Sequence, residues 1–338
     1  MGKQATPRIE QAPGVLAAVG NTPMVRLTRL FPEADFELFA KMELLNPGGS
    51  IKDRPARAIL LEAIRTRQVR PGSTVIESSS GNLAIAIAQV CAYFGVRFIC
   101  VVDPKTTTQN VAILRAYGAE VDLVESPDPT TGEYLPARLA RVRALLGEHP
   151  GAFWPNQYGN LRNPLAHHQT MDEVVAALDG RVDYLFCATS TCGTLRGCAE
   201  YTRAQGLGTR IVAVDAAGSA IFGGSPARRL LPGHGAAVRP ALYQAGLADR
   251  VVHVTDRECV AGCRTLARRE AILAGGSSGA VVVAAHRLIG EIPSGSRCAL
   301  ILADRGERYL DTVYSDAWVV ANLGDVPPLL PGDAALAA

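Results

Sequence analysis

The chain has little net charge: 34 Lys and Arg against 32 Asp and Glu leave +2 over 338 residues. That excludes binding carried mainly by bulk electrostatics, so neither a nucleic acid nor an anionic membrane is expected as a partner. Long hydrophobic runs are missing too. The most apolar stretch, 84–102, is broken by Gln89, Gly95 and Arg97 and reads as a buried helix followed by a buried strand. Met1 to Pro13 is polar and lacks the apolar centre of a secretory signal, so a cytoplasmic location is expected. Eight cysteines make no C-x-x-C pair, and six histidines fall into no metal-ligand spacing. Reduced, buried thiols and no metal site follow. Two nucleotide signatures are absent: there is no G-x-x-x-x-G-K-[ST], and Gly233-His234-Gly235 fails the dinucleotide pattern because position 238 is Val.

What is present is an alternation. Strands are expected at 74–77, 97–102, 120–124, 182–187, 211–214, 251–254 and 298–302. Helices are expected at 82–94, 109–117, 136–146, 165–178, 194–204, 256–273 and 279–289. Several strands are continuously apolar, as parallel strands covered on both faces are. The alternation predicts an α/β fold with right-handed crossovers. At about 150 residues per domain the length predicts two domains, with boundaries near 46–50 and 148–163. The Pro-, Gly- and Ala-rich tail after Asn322 is expected to be loosely held.

Ligands of open α/β sheets bind at the carboxyl ends of strands, which directs attention to four turns. In Asn46-Pro47-Gly48-Gly49-Ser50-Ile51-Lys52-Asp53-Arg54, Pro and Gly make a tight turn and Ser50 or Asp53 can cap the helix that follows. Lys52 then sits at the positive end of a helix dipole, unfavourable for a cation and suited to an amine used neutral or covalently. Ser78-Ser79-Ser80-Gly81-Asn82 offers hydroxyls and free backbone N–H groups to a carboxylate. Ser190-Thr191-Cys192-Gly193-Thr194 suits a phosphate in the same way. Gly275-Gly276-Ser277-Ser278-Gly279 joins two helices and adds a hydroxyl. Each turn alone also reads as an ordinary surface lysine, helix cap or helix break. Together they supply an amine, two anion cradles and a hydroxyl, the needs of a pyridoxal phosphate site.

These pieces, with Gly20-Asn21-Thr22-Pro23, Gly193-Thr194-Leu195-Arg196-Gly197 and Gly306-Glu307-Arg308-Tyr309-Leu310, resemble in order and spacing the cysteine synthase/cystathionine β-synthase family of pyridoxal phosphate enzymes. The resemblance runs from about Gly20 to Tyr314. It implies an α/β fold of the two-lobe, tryptophan-synthase-β-like kind (fold type II), each lobe a mainly parallel sheet flanked by helices. Residues 47–157 would form a smaller mobile lobe, 13–46 and 158–322 the larger cofactor-binding lobe, and 323–338 a loose tail. It also implies a homodimer and pyridoxal 5'-phosphate as cofactor. By position, Lys52 matches the lysine that carries the cofactor and removes the substrate α-proton. Asn82 matches the partner of the cofactor's 3′-oxygen. Ser190, Thr191, Cys192, Gly193 and Thr194 match the phosphate loop, and Ser277 the partner of the pyridine nitrogen. Ser79, Ser80 and Gly81 match the substrate-carboxylate loop, assisted by Gln157. A serine at the pyridine nitrogen implies β-elimination and β-replacement with little transamination.

The chain departs from cysteine synthase in two loops. Leu83-Ala84 follows Asn82 where that family has Thr-Gly, and Ser190 and Cys192 stand where it has glycines. Cys192 is read as a tolerated small residue. The stretches 128–138, 154–160 and 163–167, with Ile221-Phe222-Gly223-Gly224 and Asp304-Arg305-Gly306, resemble one subgroup, the N-(2-amino-2-carboxyethyl)-L-glutamate synthases of siderophore and 2,3-diaminopropionate pathways. That subgroup joins O-phospho-L-serine to L-glutamate. A dianionic leaving group suits an arginine fork, and Arg138, twenty residues before Tyr158 as in the subgroup, is assigned to it. Tyr158 is placed with the substrate, while His167 and His168 are read as structural. The subgroup also implies a downstream NAD-dependent oxidative enzyme as pathway partner. Cysteine synthase with O-acetylserine or O-phosphoserine and sulfide, a serine or threonine dehydratase, and a catalytically silent binding protein stay open as alternatives.

Overall fold

The computed structural model describes residues 14–331 and 333. In chain order the elements are β1 (Met24–Arg26), β2 (Glu37–Lys41), α1 (Asp53–Arg65), β3 (Thr74–Ser78), α2 (Asn82–Phe94), β4 (Arg97–Val102), α3 (Thr108–Ala116), β5 (Glu120–Leu123) and α4 (Tyr134–Glu148). They continue with α5 (Arg162–Ala177), β6 (Tyr184–Ala188), α6 (Gly193–Ala204), β7 (Arg210–Ala216), β8 (Arg250–Val254), α7 (Asp256–Glu270), α8 (Gly276–Arg287), β9 (Arg297–Ile301) and α9 (Asp316–Leu323).

Two sheets result. The smaller has the order β3-β4-β5, all parallel; the larger has the order β1-β2-β9-β6-β7-β8, parallel except for the edge strand β1. Both are covered on both faces, which explains the unbroken apolar strands. Side chains alternate along a strand. In the small sheet Val75, Phe98, Cys100 and Val102 therefore pack with α1 and α2, while Ile76, Ile99 and Val101 pack with Val142 and Leu145 of α4. In the large sheet Phe186, Val212, Val214 and Leu300 face α7 and α8, and Leu185, Ile211, Ala213 and Ile301 face α5 and α6. Among the described residues no helix is long and apolar enough to cross a membrane. The eight cysteines are buried and unpaired.

Three expectations change. Strands β1 and β2 carry no strong pattern, because Lys41 ends β2 fully buried in an ion-pair network rather than on a polar face. Helix α8 starts at Gly276, three residues before the expected position. It does so because Gly279 belongs to its first turn, packed backbone to backbone on α7, where a Cβ would lie 2.1 Å from the Cys259 carbonyl oxygen. The tail is tied down at Asp333, which is buried and accepts from Thr265 Oγ1 at 2.5 Å and Arg269 Nε at 2.7 Å. Residues 332 and 334–338 of the expected loose tail lie outside the described residues.

Candidate active site

Helix α1 begins directly after the turn at 46–52, and a buried charge network fixes its start. Arg54 donates to Glu43 through Nε at 2.7 Å and to Glu173 through Nη1 at 2.9 Å, and Lys41 Nζ reaches Glu173 at 2.6 Å. Asn46 Nδ2 donates to Glu43 Oε2 at 2.9 Å. Neither expected cap operates as the usual motif. Ser50 Oγ accepts from the Lys52 amide at 3.2 Å, and Asp53 turns back to accept from the Gly48 amide. Lys52 takes the N-cap position itself, with no side-chain cap bond.

Lys52 lines a cleft of about 50 Å³, partly open to solvent. Asn82, Ser190, Thr191, Cys192, Gly193, Thr194, Ser277 and Asp304 line the same cleft. All four sequence turns therefore contribute to one place, the second through Asn82 alone. Burial pushes the Lys52 ammonium below its ordinary value, against the opposing pull of Asp304. Among the described residues no hydrogen bond engages Lys52 Nζ or Ser277 Oγ.

The 190–194 turn ends β6 and opens α6. The first-turn amides of a helix have no partner within it and point outward with the positive end of its dipole. Cys192 carries the turn at φ +65°. Asn163 of α5 leaves no room at Gly193, where a Cβ would meet its Oδ1 at 2.1 Å. Below the turn, Thr194 Oγ1 contacts His167 Nε2 at 3.3 Å, and Thr170 Oγ1 lies 3.1 Å from His167 Nδ1. Burial keeps this ring well below its ordinary pKa, hence neutral. The Cys192 thiol sits against Ile221 and Leu242, and burial pushes it up to about 12. A thiol so raised is not a nucleophile near neutral pH.

Asn82 opens α2, and both ends of its amide are used: Nδ2 donates to Asp304 Oδ2 at 2.7 Å, and Arg308 donates to Oδ1. In the turn before it, Ser79 Oγ accepts from the amides of Gly81 (3.4 Å) and Ala84 (3.3 Å), and the Ser80 carbonyl accepts from Asn110. Ser79, Ser80 and Gly81 thus adjoin the cleft through Asn82 without lining it.

Gln157, Tyr158 and Arg138 gather beside the carboxyl ends of β3 and β4. Buried Glu77 anchors them, accepting from Trp154 Nε1 at 3.1 Å and the Gln157 amide at 3.3 Å. Burial raises Glu77 to about 7 despite these donors. Arg138 is not a solvated helix residue: it is buried, its Nε lies 3.2 Å from Asp103 Oδ2, and that nitrogen has no properly directed hydrogen bond. It acts electrostatically on Tyr158, whose hydroxyl burial pushes up.

An amine without a partner, an unbonded hydroxyl and a helix-start anion cradle around one cleft match the needs of pyridoxal phosphate. A family model described as pyridoxal-phosphate dependent enzyme matches residues 15–304. The chain belongs to that family. It is 50% identical over 309 residues, 91% of each chain, to the N-(2-amino-2-carboxyethyl)-L-glutamate synthase of Ralstonia nicotianae. It is 47% identical over 325 residues to the synthase of the same name from Cupriavidus metallidurans, covering 93% of this chain and 95% of that one. The crystal structure of O-ureido-L-serine synthase superimposes with a TM-score of 0.83 at 31% identity, covering 96% of this chain and 98% of that one. The protein is a pyridoxal-phosphate-dependent enzyme of fold type II.

His167 is structural, as the sequence reading has it, but several site-forming residues carry no role there: Asp304, Arg308 and Tyr309, together with Glu77, Asp103 and Asn163. The first three were within reach, because they follow β9 at its carboxyl end, where α/β ligands bind. The rest act through other side chains, and no local pattern marks them.

Proposed function

We propose that this enzyme performs a β-replacement joining O-phospho-L-serine to L-glutamate, giving N-(2-amino-2-carboxyethyl)-L-glutamate and phosphate. The observation that carries this reading is Arg138, a guanidinium kept buried with an undirected Nε, in a chain half identical to synthases of that name. A buried arginine retains its charge, and its fork matches phosphate oxygens.

In this reading Lys52 would carry the cofactor, the α6 start and the 190–194 turn would hold its phosphate, Asn82 would face its 3′-oxygen and Ser277 its ring nitrogen. When bound, the cofactor supplies an electron sink for the α-carbon. The turn at Ser79, Ser80 and Gly81, with Gln157, grips the substrate carboxylate. Lys52 Nζ takes the α-proton. Arg138, with Tyr158 beside it, neutralises the phosphate as it leaves the β-carbon with its bonding electron pair. The glutamate α-amine, as the free base, then forms a bond to that carbon and loses one proton to the released phosphate, while Lys52 returns the α-proton to the α-carbon.

The small sheet and its helices, residues 47–157, act as the mobile lobe that closes over the substrate, against a larger lobe of 13–46 and 158–322. A homodimer in the cytoplasm, feeding an NAD-dependent oxidative enzyme that releases 2,3-diaminopropionate, completes the proposal. The test supplies O-phospho-L-serine to the purified holoenzyme with either L-glutamate or sulfide and identifies products by mass. A glutamate–aminopropionate conjugate with free phosphate is expected. Cysteine formed from sulfide while glutamate stays inert overturns the substrate assignment and leaves the cofactor reading standing.

A further inference from the structure

Asp304 follows β9 and is the one carboxylate among the described residues lining the cleft. It is 3% exposed. Its Oδ2 accepts from Asn82 Nδ2 at 2.7 Å and from Tyr309 Oη at 2.5 Å, whereas its Oδ1 is buried with no hydrogen-bond partner. The backbone is held on two sides: Asp304 bridges to Ser50 and its carbonyl accepts from Gly275 at 3.1 Å, while Oδ1 packs against Gly275, where a Cβ would lie 2.3 Å from it. A fixed carboxylate therefore lines the same cleft as Lys52 and acts electrostatically on its amine.

We propose that Asp304, the carboxylate that shares the cleft with Lys52, is a positioning residue for it, balancing the ammonium whenever that amine is released from the cofactor. This rests on Lys52 being the cofactor lysine. When Lys52 Nζ takes the substrate α-proton, a C–H bond breaks, an N–H bond forms and a cation appears in a buried site. An isolated buried cation is costly and gives up its proton at random. A fixed anion across the cleft keeps it charged and aimed until the proton is returned. Burial pushes the Asp304 carboxyl up, and the hydrogen bonds from Tyr309 and Asn82, with Arg308 and Lys52 nearby, oppose that shift and favour its charged form.

The surrounding groups leave this task to Asp304. Around Lys52 stand Cys192 and His167, the thiol raised and the ring lowered by burial, so both are neutral. Asp215 acts on Cys192. Around Asp304 stand Tyr309, Cys263 and Tyr314, each raised by burial and so neutral, and Arg308, which shares the carboxylate with Lys52.

The test uses full-length protein stripped of cofactor. Pyridoxal phosphate is added across a pH series, and the rate of covalent loading is read by absorbance and by borohydride trapping at Lys52. Asp304→Asn keeps the shape and removes the charge. The pH midpoint for loading is expected to fall by about one unit, a tenfold loss of proton affinity. Tyr309→Phe removes one donor to the carboxylate and is expected to move the midpoint the same way by less, which decides the matter if the Asn variant does not fold. Folded variants that keep the wild-type midpoint overturn the proposal. Loading that persists in Lys52→Ala overturns the Lys52 assignment instead.

Discussion

The two sheets build their halves of the site from different materials. The large-sheet half uses backbone amides at the α6 start, small residues and a close glycine packing, with Ser277 and Asp304 fixed by main-chain contacts. The small-sheet half uses buried ionisable side chains: Glu77, held by N–H donors under the 154–157 loop, and Asp103, paired with Arg138. A cradle made of backbone accepts a constant ligand whose shape does not vary, as a cofactor's does not. A cradle made of paired charges can be retuned by single substitutions, which suits the part of the site that distinguishes substrates. Helix α1 joins the halves: its apolar face packs with α2 while Arg54 reaches Glu43 and Glu173 beneath the large sheet.

The contrast is broken most forcefully at the junction. Glu173→Gln leaves Arg54 and Lys41 buried with half their counter-charge, and a loss of about 3–5 kcal/mol is expected from a buried ion pair so disrupted. Burial alone would raise the Glu173 pKa, but the bonds from Arg54 and Lys41 outweigh it and hold it at about 2. A carboxyl lowered in the fold contributes stability above its unfolded value near 4.5, lost as pH falls toward 2. The variant should therefore lose that part of the acid limb in a denaturant series run at several pH values. Equal slopes in both proteins would refute the role of this network.

A smaller effect, confined to the substrate half, is expected from Arg138→Ala. It should lower kcat/KM for O-phospho-L-serine by about 10- to 100-fold, the worth of a charge-assisted hydrogen bond, while cofactor loading at Lys52 stays at the wild-type level. Loading and turnover falling together would mean that the two halves are not separable.

Glu77→Gln sharpens the same point. It places an amide N–H against donors from Trp154, Ser78 and Gln157, a loss of about 1–3 kcal/mol. Because burial raises Glu77 to about 7 in the fold, wild-type stability carries a contribution that declines as pH rises from about 4.5 to 7. The gap between wild type and variant should narrow over that window in thermal melts.

The smallest effect belongs to the backbone half. Cys192→Gly removes a side chain from a left-handed position, worth about 1–2 kcal/mol, and gives up its contact with Ile221 and Leu242. The two nearly cancel, so Tm and cofactor retention should stay close to wild type. A large loss of cofactor would show that the thiol, not the backbone, forms the cradle.

Much of this arrangement is legible in residue order. The alternation of apolar runs with helical periods specifies two parallel sheets because the local signals are strong and the connections short. The turns at 46–54, 79–82, 190–194 and 276–279 can be read because glycine, serine and threonine at a helix start have a local physical purpose. Strand β2 could not be read, since its terminal Lys41 looks polar until Glu173, 132 positions away, is seen beside it. Arg138 illustrates the other limit. Its helix shows a weak apolar pattern, and only the packing of α4 on the small sheet takes the guanidinium out of water and sets it against Asp103. The sequence by itself determined the fold class and singled out Lys52 and the glycine- and hydroxyl-rich turns, because each depends on neighbours in the chain. Tertiary structure alone decided which charges are buried together, what Asp304 faces and where Glu77 anchors its loop, because electrostatic pairing depends on distance in space and on the exclusion of water.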